Sequence, residues 1–278
     1  MKTIQQYLSS PIRFIDHSKQ DMILNEPNRA FISFAVDDAI ATTVGNKSSL
    51  PTVRLWVHPP TLVLGIPDSR LPYIDEGVAF MKSKNHQVLI RNSGGLAVLL
   101  DHGVLNMSFI IPNNGSLTIH DGYDMMYDFI QQLFKAYTSN IKAYEIVGSY
   151  CPGDYDLSIE GIKFAGISQR RVRNGVAVQI YLDVEGSSFA RASLVRDFYH
   201  ISKKGEPTKH TYPEINPEVM GTISKLTNHS FTVPGVGNKI KHLLEKDFHV
   251  STDTLSNEEA TLFQKRLKQM KKRNERLT

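Results

Sequence analysis

A chain of 278 residues with 41% hydrophobic and 22% charged side chains can bury a sizeable core as one large domain or two small ones, in the ordinary balance of a soluble globule. No stretch approaches the about 18 apolar residues of a membrane span, and the opening MKTIQQYLSSPIRF lacks the apolar run of a secretory signal, so a cytoplasmic protein with no membrane partner is expected. The net charge of +4 is a property of the tail: residues 265–278 hold seven Lys/Arg and one acid, leaving 25 basic and 27 acidic groups elsewhere, which reads as a solvated helix face and gives no ground for a nucleic-acid partner.

In chain order, NRAFISFAVDDAIATTVG reads as a strand edge or as a helix with small residues along one side, and PTVRLWVHPPTLVLGI as two β-rich runs broken by Pro59-Pro60. QVLIR, LAVLL and NMSFII read as further strands, with Gly94-Gly95 interrupting the stretch after Arg91-Asn92-Ser93. Glycine there permits positive φ or close approach of a ligand to the backbone, though a simple turn has the same signature. GYDMMYDFIQQLFKAYTSN has apolar residues at spacings of three and four and predicts a helix, and GVAVQIYLDV another strand. After His200 the pattern becomes helical, with Asn216 as N-cap before Pro217, and with Ser256 and Glu259 spaced as a capping box before ATLFQKRLKQM. Phe263, Leu267 and Met270 make an apolar stripe on that last helix. The ordering predicts an α+β fold with mixed sheets packed by helices, divided as residues 1–200 and a C-terminal helical extension, 201–278.

The only cysteine, Cys151, stands in the polar loop SYCPGDYDLSI instead of an apolar run. One cysteine makes no intramolecular disulfide, and a lone thiol is often just a small buried hydrophobe. Glu160-Gly161 suits a two-residue hairpin turn that opposes Ile159 to Ile162 and Ser158 to Lys163. Alternation then puts Asp156, Ser158, Lys163 and Ala165 on one face, with Ala165-Gly166 leaving room for a ligand. An exposed strand lysine is ordinarily solvated, but here thiol and ammonium can converge, and a neighbouring cation depresses a thiol's pKa toward a reactive thiolate.

Together these residues resemble the biotin/lipoate protein ligase and transferase superfamily, over about residues 28–200. Arg91, Ser93, Gly94, Gly95, Ala97, Val98, Asp101, Leu105, Asn106, Ser108 and Phe109 match its glycine-rich element. Gly161, Lys163, Phe164, Ala165, Gly166, Ile167, Ser168, Gln169 and Arg170 match its lysine motif, and Arg54 and Trp56 its Arg-x-Trp strand. The cysteine loop is similar to that of the branch that moves octanoyl or lipoyl groups between protein lysines. Leu96 and Leu99-Leu100 depart from the pattern of the nucleotide-using members. The resemblance implies Cys151 as acyl-thioester nucleophile, Lys163 as the cation that lowers its pKa and shuttles protons, and Arg91, Ser93, Gly94, Gly95, Ala97, Ala165 and Gly166 as substrate-binding residues. It implies no cofactor and no metal. The implied donor is the glycine cleavage H protein, and the implied acceptors are lipoyl domains of 2-oxoacid dehydrogenase E2 subunits. Transfer from an octanoyl-acyl carrier protein, an ATP-dependent lipoate ligase and a non-catalytic binding module stay open as alternatives.

Overall fold

The computed structural model describes residues 4–8, 10–18, 29–113, 115 and 117–277. In chain order the elements are β1 (Ile12–His17), α1 (Arg29–Gly45), β2 (Thr52–Trp56), β3 (Thr61–Leu64), α2 (Ile74–Ser83), β4 (Gln87–Ile90), β5 (Val98–Leu100), β6 (Val104–Pro112) and α3 (Ile119–Phe134). Then come β7 (Ile141–Ala143), β8 (Asp156–Ile159), β9 (Ile162–Val172), β10 (Gly175–Asp183), α4 (Ser188–Lys203), α5 (Ile223–Thr227), α6 (Val233–Asp247), β11 (Val250–Thr252) and α7 (Asn257–Asn274).

Eight strands form one mixed sheet in the order β11-β1-β2-β6-β10-β9-β8-β7, and three form a second in the order β4-β3-β5. The α+β class expected from the alternation is the one observed. Pro59-Pro60, with no backbone N–H to give to a ladder, separates β2 in the large sheet from β3 in the small one. β6 and β10 are buried along nearly their whole length because they lie at the centre of the large sheet. One core fills the space between the two sheets with α1, α2, α4 and α7; the other lies on the opposite face of the large sheet under α3 and α6.

RAFISFAVDDAIATTVG is a helix, α1, and is buried nearly all round. That explains why its sequence shows no clean polar stripe: a helix wrapped by its neighbours needs none. α3 starts at a capping box in which Thr118 and Asp121 satisfy each other's backbone N–H groups, and it buries Met125, Met126, Phe129, Ile130, Leu133 and Phe134. The capping box of Ser256 and Glu259 is present at α7, and Phe263, Leu267 and Met270 bury their stripe against the first core.

Three details differ from the sequence reading. The helix containing His200 begins earlier, at Ser188, where the Ser187 hydroxyl accepts from the Ala190 N–H. Asn216-Pro217 opens only a single 3-10 turn, Pro217–Val219. And the C-terminal segment is not purely helical, because β11 adds to the edge of the large sheet in parallel with β1. A three-residue strand with no alternation to display leaves little trace in a sequence.

Candidate active site

Cys151 lies in the loop between β7 and β8, with its backbone in the left-handed region at φ +46°. The residue is partly buried on the wall of a cavity of about 300 Å³ that runs between the two sheets. The inner end is apolar and buried, walled by Phe34, Trp56, Val63, Val98 and Leu100. The outer end is polar and aromatic, with Tyr123, Asp154, Tyr155 and Gln169. A narrow apolar chain with one reactive polar end fits such a shape.

The sulfur has two neighbours from the glycine-rich loop between β4 and β5. The Leu96 N–H points at Sγ from 3.2 Å, and Arg91 Nη2 stands 3.5 Å away while also donating to the Leu96 carbonyl at 2.8 Å. Gly95 makes this packing possible. Its φ is +97°, and a Cβ there would lie 2.2 Å from Arg91 Nη2 and 2.9 Å from Sγ, so any side chain would force arginine and thiol apart. The sulfur thus faces two donors, one a backbone N–H and one a guanidinium.

The loop is in turn held by Asp68 and Tyr199. Asp68 accepts from the Gly65 N–H at 2.7 Å and from Tyr199 Oη at 2.8 Å, and Tyr199 Oη accepts from the Ala97 N–H at 3.2 Å. Burial pushes the Asp68 carboxyl up to about 6, against the pull of its hydrogen bonds to Tyr199 and Gly65.

Lys163 is fully buried. Its Nζ pairs with Asp156 at 2.8 Å and donates to Ser149 Oγ (3.1 Å) and to the carbonyls of Tyr150 (2.9 Å) and Cys151 (3.0 Å). The ammonium thus grips the backbone of the cysteine loop, and the cation at the sulfur is Arg91. Burial raises the Asp156 carboxyl above its ordinary range while the Lys163 charge opposes it. The hairpin has the expected turn, with Glu160 and Gly161 both at positive φ, and the expected pairs Ile159–Ile162 and Ser158–Lys163.

The shared face expected for Lys163 and Ala165 is a point of correction. A bulge lies between the Ser158–Lys163 and Leu157–Ala165 pairs, and one extra residue in a strand reverses the alternation beyond it. Ala165 therefore joins Phe164 and Leu157 in the second core, and Gly166 turns to the cavity. Of the remaining expected residues, Arg91, Ser93, Gly94 and Gly95 line the cavity, whereas Ala97 is packed behind it.

The floor of the cavity was less legible. Asp37 of α1, buried, accepts from Arg54 Nη1 (2.6 Å), Ser108 Oγ (2.5 Å) and Gln179 Nε2 (2.6 Å), and Trp56 Nε1 donates to Ser108 Oγ at 3.0 Å. The network fixes side chains from β2, β6 and β10 below the pocket. Its signal in the sequence is Asp37-Asp38 inside an otherwise apolar helix, since a buried carboxylate needs a partner. Among the described residues, no group of three or more His, Cys, Asp and Glu is arranged to hold a metal ion, and no helix is long and apolar enough to cross a membrane.

The family model of the lipoyl protein ligase A/B catalytic domain matches residues 29–245. The chain is 56% identical over 264 residues, covering 95% of both proteins, to an octanoyl-[GcvH]:protein N-octanoyltransferase of Oceanobacillus iheyensis. It is 44% identical over 270 residues, again covering 95% of each, to a lipoyl-[GcvH]:protein N-lipoyltransferase of Listeria monocytogenes. In fold it is similar to a lipoate-protein ligase A bound with ATP, at a TM-score of 0.67 and 15% identity, covering 96% of this chain and 95% of that one. A putative lipoate protein ligase from T. acidophilum with bound lipoic acid superposes at a TM-score of 0.68, at 14% identity, covering 94% of this chain and 96% of that one. With a family model that matches most of the chain and such identity along nearly its whole length, the chain belongs to the lipoyl protein ligase A/B catalytic domain family.

Proposed function

We propose that this protein is an amidotransferase that moves an octanoyl or lipoyl group from a lysine of the glycine cleavage H protein to a lysine of an E2 lipoyl domain, through a thioester on Cys151. The observation that carries this reading is the Cys151 sulfur held between the Leu96 N–H and the Arg91 guanidinium on the wall of an apolar-ended cavity. The names of relatives at 44–56% identity support the acyl group and the donor. A ligase that activates its acyl group with a nucleotide has no need of a thiol so placed.

Cys151 thiolate attacks the acyl carbonyl of the donor amide, the S–C bond forms, and the C–N bond breaks as the lysine nitrogen takes a proton from solvent. The acceptor lysine then attacks the thioester as a free amine. The S–C bond breaks, the sulfur keeps the electron pair, and the amine's surplus proton returns to solvent. Arg91 stabilises the sulfur anion at both stages, and Lys163 with Asp156 and Ser149 holds the loop so that the sulfur faces the acyl carbon. Ser93, Gly94, Gly95 and Gly166 wall the acyl group. A thioester lies uphill of an amide, so with an amide donor the acyl-enzyme is sparse.

The test is to incubate the protein with octanoylated H protein and apo lipoyl domain without nucleotide, and to follow intact masses. The octanoyl mass should leave the first carrier and appear on the second. Transfer that requires ATP would overturn the reading in favour of a ligase.

A further inference from the structure

The charged side chains in the wall of the Cys151 cavity are Arg91, Asp154 and Asp156. Arg91 faces the sulfur and the Leu96 carbonyl, and Asp156 is engaged by Lys163 and the Ile146 N–H. Asp154 is exposed, and among the described residues no hydrogen bond or ion pair engages its carboxylate. It follows Cys151 on the same loop by three residues, which keeps the two Cα atoms within about 11 Å. Tyr123 of α3 feels both of them: burial first, then the Cys151 sulfur and the Asp154 carboxylate, push its ionisation up against the pull of Arg171. Its ring lies against that of Tyr155 with centroids 4.9 Å apart, and Tyr155 Oη donates to Asp124 at 2.7 Å. Two aromatic rings and one open carboxylate therefore make the outer end of the cavity. The space there is wide, since a Cβ on Gly94 or Gly153, both in the wall, would meet nothing within 4 Å.

An acyl-lysine is an apolar chain, an amide and the four-carbon stem of the lysine. With the chain in the apolar inner end and the carbonyl carbon at the sulfur, the stem lies in the outer end and its nitrogen at the boundary. That nitrogen becomes cationic in both half-reactions. In the first, the nitrogen of the tetrahedral adduct takes a proton from solvent; the C–N bond then breaks and its electron pair stays on nitrogen. In the second, the lone pair of the acceptor amine forms the N–C bond while the π pair moves to oxygen. The nitrogen is positive until it loses a proton to solvent, after which the C–S bond breaks and sulfur keeps the pair. A carboxylate beside the nitrogen opposes that charge through a charge-assisted hydrogen bond.

We infer that Asp154 is a catalytic residue whose carboxylate accepts a hydrogen bond from the carrier lysine's nitrogen while that nitrogen is cationic, at the end of the cavity walled by Tyr123 and Tyr155. No proton passes to Asp154, and no bond to it forms or breaks. This deepens the Cys151 reading and rests on it.

Asp154→Asn removes the charge and keeps the shape. Loading of Cys151 from a neutral thioester, octanoyl-N-acetylcysteamine, expels a thiolate and charges no nitrogen, so it should stay within about twofold of wild type. Single-turnover transfer from loaded Cys151 to saturating apo lipoyl domain should fall about tenfold or more, the ordinary loss of one hydrogen bond to a charged group. Acylation by saturating octanoylated H protein should fall likewise, and Asp154→Glu should recover part of both rates. Wild-type transfer in Asp154→Asn would overturn the assignment. So would an equal loss in the thioester and lysine steps, which marks a displaced cysteine loop, or a loss that saturating carrier abolishes, which marks a contact with the carrier's surface alone. Failure of the wild-type protein to take an octanoyl group from the thioester onto Cys151 would instead overturn the cysteine mechanism on which the assignment stands.

Discussion

At Cys151 a non-glycine residue sits at φ +46°, a conformation that costs an L-residue about 1–2 kcal/mol. It is held there by the Lys163 ammonium on the carbonyls of Tyr150 and Cys151. Arg91 at the sulfur and Lys163 on the loop carbonyls are two cations at two places, and their replacements should behave differently. Arg91→Met removes the charge facing the sulfur, so alkylation of Cys151 at neutral pH should slow about tenfold, the equivalent of about 1.4 kcal/mol, with Arg91→Lys recovering part of the rate. Lys163→Met leaves the Asp156 carboxylate buried without its partner and should destabilise the protein by about 3 kcal/mol, read as a lower urea midpoint, while the folded fraction alkylates within about twofold of wild type. Equal alkylation rates for wild type and Arg91→Met, with a marked loss in Lys163→Met, would return the thiol to the lysine.

Among the elements, the best-read were those whose pattern is local. The Ser256/Glu259 box and the stripe of Phe263, Leu267 and Met270 belong to one helix, and the Glu160-Gly161 turn with its pairs Ser158–Lys163 and Ile159–Ile162 belongs to one hairpin. What escaped depends on partners distant in the chain. The bulge that turns Ala165 away from Lys163 is a matter of register, and the Arg91 contact with the sulfur joins residues 60 apart. Asp68, Tyr199 and Ala97 meet only because α4 packs beside the glycine-rich loop. The seat of α7 is of the same kind. Glu259, besides closing its capping box, accepts two hydrogen bonds from the Arg13 guanidinium on β1 and others from Thr43 and Ser49. These bonds, with Arg13 foremost, hold its carboxyl below the ordinary range against the opposing effect of burial. Its contribution is therefore present above the ordinary glutamate range and is lost as pH falls through the lowered value. Glu259→Gln leaves Arg13 buried without a counter-charge and should lower stability by about 3 kcal/mol at neutral pH. A melting temperature within a degree of wild type would show that the helix docks through its apolar stripe alone.

For the whole molecule, pH acts through buried groups of opposite sign. Burial, with the Arg54 charge adding to it, lowers His17 and His58 to about 3, so between about pH 3 and 6.5 the unfolded chain takes up protons that the folded one refuses, and stability rises with pH. Burial raises Asp68 to about 6 and Asp183 to about 7; these hold protons only when folded and make stability fall as pH rises from about 4. Removing one histidine unbalances the set. His58→Leu should gain on wild type by about 1.4 kcal/mol for each pH unit lowered between pH 6 and 4, measured as the difference in urea unfolding free energy at the two values. A difference independent of pH would mean that His58 is protonated in the folded protein. The central claim, a covalent acyl group on Cys151, is tested most directly by loading the protein with octanoyl-coenzyme A, quenching in acid and mapping the acyl group by peptide mass. The account predicts one octanoyl group on the Cys151 peptide, released by neutral hydroxylamine, passed to apo lipoyl domain when that is added before the quench, and absent from Cys151→Ala, which stays folded and transfers nothing. Transfer by folded Cys151→Ala at the wild-type rate, or an octanoyl group found only on another residue, would contradict it.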